Sequence, residues 1–185
     1  MSNYLKPLSV VAVIVLILLA PSIRDALKEE AATYVNDSES SHNGLPESWN
    51  NSQVFCVLFL DQVSHPKFTS GVTMIESDGS ILGTNSEYNG TGACVGGFSG
   101  YENGLDLMND AVNSSGNDLV YNSTEFSFGL QIDSIGNIEP CDVAECSDSS
   151  GAYWALYHNG GASMVGISDV ILEEADVLLW QIETW

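Results

Sequence analysis

The sequence predicts an α+β domain: one helix packed on a mixed sheet, preceded by an N-terminal transmembrane or signal helix. Three observations predict it. Apolar runs of strand length recur along the chain, and beyond residue 52 a single segment carries a helical stripe. The order is a strand pair, then that helix, then several strands, which is the α+β pattern.

The first 35 residues are a unit apart. Pro7 to Ile23 carries no charge, and Leu8 to Ala20 is almost entirely apolar. Such a helix reaches about 25 Å, near the lower limit for spanning a bilayer. A cleavable signal peptide looks similar, but Leu18 is large where a small residue is wanted and Pro21 follows Ala20. The segment therefore reads as an uncleaved anchor. A short amphipathic helix follows, with Ser22 as its cap and Ile23, Leu27, Ala31 and Tyr34 on one stripe. Pilin-like filament proteins begin in a related way, so a structural surface subunit, adhesin-like or pilin-like, is the alternative. Residues 36–52 are polar with Gly and Pro, and read as a flexible tether.

The domain spans 53–185. The apolar run from Gln53 predicts a buried strand, and Asp78-Gly79 predicts a hairpin turn between VTMI and SILG. Residues 83–104 are rich in Gly, Ser and Asn and read as loop. Leu105, Met108 and Val112 predict a helix over 103–113. Strands are expected at Phe126 to Ile132, Ala152 to Tyr157, Ser163 to Ile167 and Val177 to Glu183, with a turn at Asn159-Gly160.

Composition sets the surroundings. Of 25 carboxylates only Asp25, Glu29 and Glu30 precede residue 31, and beyond it Lys67 is the single Lys or Arg. A nucleic-acid partner is excluded on that ground, because phosphate binding needs cationic side chains. The four cysteines Cys56, Cys94, Cys141 and Cys146 suit an exported, disulfide-bearing domain. A bridge between Cys141 and Cys146 is local and easy, which leaves Cys56 with Cys94. Five asparagines sit in N-x-S/T sequons: Asn36, Asn50, Asn89, Asn113 and Asn122. They fit a glycosylated outer surface. The expected location is a cell membrane crossed once, with the C-terminal domain extracellular.

Several motifs follow in order over residues 126–183. Gly129 leads to Ser134 and Ile135, Tyr153 and Trp154 lead to Asn159 and Gly160, and Val165-Gly166 and the acidic turn Glu173 to Asp176 precede the last strand. This arrangement resembles the transcobalamin-like C-terminal domain, a domain of unknown function in microbial surface proteins. Ala175 departs from the family's usual Gly. The resemblance implies a β-grasp-like fold, a sheet curled around one helix. It also implies a ligand-binding or interaction module. In cobalamin carriers the module closes over the corrinoid against a larger helical domain, which has no counterpart in these 185 residues.

The residues offer no catalytic pattern. G-x-S-x-G, phosphate-loop, H-E-x-x-H and calcium-loop motifs are all missed, so no enzyme activity, metal or cofactor is expected, and an unrecognised hydrolase is the remote alternative. Alternation sends Tyr153 and Tyr157 to one face of their strand and Trp154 to the other. The expected ligand-binding residues are Ser134, Tyr153, Tyr157 and Asn159. The expected partner is a small molecule, with a corrinoid among the candidates, or a surface protein.

Overall fold

In a computed structural model the described residues are 42–59, 65–87, 90–126 and 129–185. The expected anchor at 1–35, the start of the tether, and the sequons at Asn36 and Asn89 lie outside them. Among the described residues no helix is long and apolar enough to cross a membrane.

The fold is mixed α+β, with one large sheet and few helices. In chain order the elements are β1 (Gln53–Phe59), β2 (Gly71–Glu76), β3 (Ile81–Asn85), β4 (Thr91–Phe98) and α1 (Gly104–Ser114). They continue with β5 (Tyr121–Phe126), β6 (Gly129–Ile135), α2 (Pro140–Val143), β7 (Ala152–His158), β8 (Gly161–Ala162) and β9 (Val177–Thr184). Seven strands form one sheet in the order β3-β2-β4-β1-β9-β7-β8, while β5 and β6 make a separate hairpin. β1 runs antiparallel to β4 and parallel to β9.

Alternation along β1 divides the interior. Phe55, Val57 and Phe59 join the main core with Leu107, Met108, Ala111 and Val112 of α1, Ile132 and Ile135 of β6, and Trp154, Leu156 and Trp180. Val54 and Cys56 point the other way, with Val72, Met74, Cys94 and Val177. Both faces of β1 are therefore covered, which explains its nearly continuous apolar sequence. α1 starts where Asn103 caps it, its Oδ1 accepting from the Leu105 and Asp106 amides at 2.9 and 3.4 Å. The hairpin turn at Asp78-Gly79 forms as expected, with Gly79 at φ 87°. The bridges are Cys56–Cys94, directly opposite in the β1–β4 register, and Cys141–Cys146.

Four expectations need correction. Residues 83–104 are not a loop, because β4 runs through them next to β1. Its glycines hid it, yet packing requires them. A Cβ at Gly92 would stand 2.3 Å from the Val57 carbonyl oxygen, and one at Gly96 would stand 2.3 Å from the Trp49 ring. That contact also revises the tether. Residues 42–52 pack onto the domain, with a 3-10 turn over Glu47–Trp49 and the Trp49 side chain fully buried. His42 Nε2 lies 3.2 Å from the Ser52 carbonyl oxygen, and Asn85 Nδ2 donates to the Gly44 carbonyl at 3.1 Å.

The third correction is the hairpin. In place of a strand over Phe126 to Ile132, β5 ends at Phe126 and β6 starts at Gly129. β5 reads YNSTEF and is almost wholly exposed, so no buried face imposed an alternating pattern on it. Fourth, no strand covers Ser163 to Ile167. β8 is only Gly161–Ala162, and Ile167–Asp169 is a 3-10 turn.

Replacing Trp49 by Ala should cost about 3–5 kcal/mol, the range for emptying a buried aromatic site. Urea unfolding of both chains measures it, and an unchanged midpoint would return residues 42–52 to the role of a tether.

Candidate functional site

The four expected ligand residues do not converge. Ser134 is buried on β6, where its Oγ accepts from Asn122 Nδ2 at 2.9 Å. Asn159 sits in the β7–β8 turn at φ 50°, followed by Gly160 at φ 80°. Its amide donates to Asp176 Oδ1 at 2.7 Å, and its Oδ1 accepts from the Val177 amide at 2.8 Å. Asp176 is buried, and its Oδ2 lies 2.7 Å from His158 Nε2 and accepts from the Glu173 amide at 2.8 Å. This cluster clasps the β7–β8 turn to the start of β9. It uses up Asn159 and His158 structurally. Burial opposes the charge on Asp176, but the donors from Glu173, Asn159 and His158 outweigh it and hold the carboxyl below its usual range.

Tyr153 and Tyr157 do share a face of β7, as alternation requires, and Trp154 joins the core on the other. Both tyrosines donate to Glu183 on β9, Tyr153 to Oε2 at 3.1 Å and Tyr157 to Oε1. These bonds hold Glu183 low and push both phenols up. Tyr153 is 45% exposed, and its ring centroid lies 5.9 Å from that of Trp185, itself 70% exposed.

That aromatic pair borders a cleft of about 520 Å³. One wall is β6, through Leu130, Ile132 and Asp133. A second wall is the start of α2, through Glu139, Pro140 and Cys141, and Trp154, Trp180, Tyr153 and Trp185 complete the lining. A depression of about 230 Å³ shares Tyr153, Trp154 and Trp180, and adds Tyr157, Val165 and Glu183. A four-residue helix has little stability of its own, and the α2 wall is tied down by the Cys141–Cys146 bridge and by Val143 packing against the main core. The Trp154 indole N–H donates to the Ile138 carbonyl at 3.3 Å, whereas that of Trp180 is buried with no partner among the described residues. Among the described residues no Lys or Arg lines either hollow.

Tyr153 and Tyr157 were legible from the strand pattern. Trp180, Trp185, Asp133 and Glu139 were not, because they meet Tyr153 only through the β7–β9 pairing and the placement of the β5–β6 hairpin. The alternation Leu178, Trp180, Ile182 was the available signal for Trp180.

The geometry also bears on chemistry and modification. No group of three or more His, Cys, Asp or Glu able to hold a metal occurs among the described residues. His158 is paired with Asp176, and among the described residues no hydrogen bond joins its ring to a serine or cysteine. The sequon asparagines Asn50, Asn113 and Asn122 are exposed.

Comparisons with known proteins add one family. Residues 105–184 match a family described as a domain of unknown function, DUF4430. The match runs from α1 to β9 and takes in the cleft-lining strands. No curated protein matches the chain. Among solved structures, a Ruminococcus gnavus protein proposed to bind metal is similar at 11% identity and TM-score 0.40, over 71% of this chain and 96% of that one. That likeness is too distant to carry any property of the Ruminococcus protein to this chain.

The clasp gives a pH dependence with a definite sign. Asp176 holds its proton less tightly folded than unfolded, where the usual value is 3.8. Its stabilisation is therefore complete above that value and is lost as pH falls through the folded one. Asp176→Asn should lower stability near neutral pH by about 1–3 kcal/mol and flatten the acid limb. Urea midpoints measured across the acid range for both chains test this. An unaltered acid limb would show that another group controls it.

Proposed function

We propose that this protein is a non-enzymatic binding module of the outer surface, held at a membrane by its apolar N-terminal segment, and that it takes a small molecule in the Tyr153–Trp185 cleft. The observation that carries this reading is the cleft itself. About 520 Å³ falls in the range of small-molecule sites, and its border carries two large aromatic side chains exposed to solvent. Exposed aromatic area of this kind is stabilising only when something covers it. The family match supports the reading by covering the motifs on which the transcobalamin-like resemblance and its β-grasp-like fold rest. A corrinoid outsizes the cleft, so it could enter only in part, with a second protein closing over the remainder.

Native mass spectrometry of the full-length chain, with equilibrium dialysis against a panel that includes corrinoids, tests the proposal. Trp185→Ala should weaken whatever is retained at least about tenfold while leaving the unfolding midpoint near that of the parent. Equal retention by the variant would move the site elsewhere.

A second reading, a structural surface subunit, is favoured by β3. This edge strand carries no charge over Ile81–Asn85, and Ile81 and Leu82 are 71% and 49% exposed. Edges are usually guarded by charge or proline, because an unguarded one can accept another strand. If copies join there, sedimentation velocity should show association rising with concentration and abolished by Leu82→Lys. A monomer at every concentration would end this reading.

A further inference from the structure

Resting on the cleft as the binding site, we propose that its ligand is an organic cation: a quaternary or protonated amine with an apolar body and a neutral oxygen acceptor. Three features of the lining point to this class. The first is charge. Asp133 and Glu139 stand in the walls, and Glu183 stands in the adjoining depression. Among the described residues no cationic side chain answers them, because Lys67, the one Lys or Arg there, is paired with Asp118 at 3.0 Å. An anionic ligand would enter against these carboxylates with nothing to neutralise it. A purely apolar ligand would strip water from them without replacing it.

The second feature is the aromatic lining. Tyr153 and Trp185 are tilted by 48° at 5.9 Å, and Trp154 and Trp180 line the same cleft. Tyr153 and Trp185, the exposed pair, can offer their negative faces to a cation, and a poorly hydrated ammonium gains most, while Trp154 and Trp180, 5% and 4% exposed, back the cleft from the core. Tyr153 is held in place by its bond to Glu183, so part of this arrangement exists before any ligand arrives.

The third feature is independent of charge. Trp180 is 4% exposed, and its indole N–H has no acceptor among the described residues. An unanswered buried donor is uncommon and is relieved by an acceptor brought from outside. A hydroxyl, ether or ester oxygen beside the ammonium supplies one without adding negative charge. A carboxylate or phosphate would be repelled by Asp133 and Glu139.

The test uses the full-length chain and three probes: choline, tetramethylammonium, and 3,3-dimethyl-1-butanol, the neutral carbon analogue of choline. Binding is followed by tryptophan fluorescence and calorimetry. Choline should bind at least about tenfold more tightly than the alcohol. Tetramethylammonium, which lacks the oxygen, should fall between them. Asp133→Asn with Glu139→Gln should reduce the choline preference, and added salt should do the same. Equal binding of choline and the alcohol would overturn the cation claim and leave the cleft standing as a site. The cation claim also falls if all three probes are ignored by a chain that retains another ligand sensitive to Trp185→Ala. Silence from every probe, with nothing retained, would overturn the binding reading itself.

Discussion

The position of β1 governs this fold. It lies fourth of seven strands, and both neighbours come from far along the chain, β4 antiparallel and β9 parallel. Every residue of β1 except Leu58 is buried, so a slip of one position would exchange the two apolar sets between two different interiors. The Cys56–Cys94 bridge pins the β1–β4 register across 38 residues of chain. Closing a loop of that length is worth about 4 kcal/mol on chain entropy alone. The local Cys141–Cys146 bridge, five residues apart, is worth about 2 by the same argument. The first bridge serves the whole sheet and the second serves one wall of the cleft.

The cleft follows from that constraint. A parallel β1–β9 pair cannot be closed by a tight turn, so the chain must make a long excursion between them. The excursion includes α1, the β5–β6 hairpin and β7. When the chain returns as β9 it pairs on its far side with β7, in a register that sets Tyr153 opposite Glu183. Trp185 then lies one residue beyond the end of β9, within ring contact of Tyr153. The hairpin, attached to the main core through Ile132 and Ile135, supplies the opposite wall. The site is thus a by-product of closing the sheet, which is why its residues come from four separated stretches of sequence.

How much could be read beforehand depended on how local each signal was. β1, the Asp78-Gly79 hairpin, α1, β7 and β9 have periodicities or turn residues within a few positions, and they were legible. So was the division of Tyr153 and Tyr157 from Trp154. β4 was hidden because Gly92 and Gly96 are dictated by Val57 and Trp49, partners distant in sequence. β5 was hidden because an exposed strand need not alternate. Trp49 looked like part of a polar linker because six of its neighbours are Asn, Ser, Glu or Pro, and only the surface it covers reveals its role. Asn159 sits in the turn that its Asn-Gly pair predicts, but its side chain is engaged by Asp176 and the Val177 amide, a partnership far along the chain that the pair does not signal.

The two readings of function do not compete for surface. β3 forms one edge of the sheet, while β7 and β8 lie at the other, five and six strands away. A contact along Ile81 and Leu82 would leave Tyr153 and Trp185 open, and a ligand beside Trp185 would leave the β3 edge open. The acidic surface bears on both. With a formal net charge of −21, copies of this chain repel one another at low ionic strength, and edge pairing gains as salt or bound cations screen that repulsion. The same screening weakens the field that would draw an organic cation into the cleft. Salt should therefore move the two proposed activities in opposite directions, so an effect of ionic strength on one cannot be mistaken for an effect on the other.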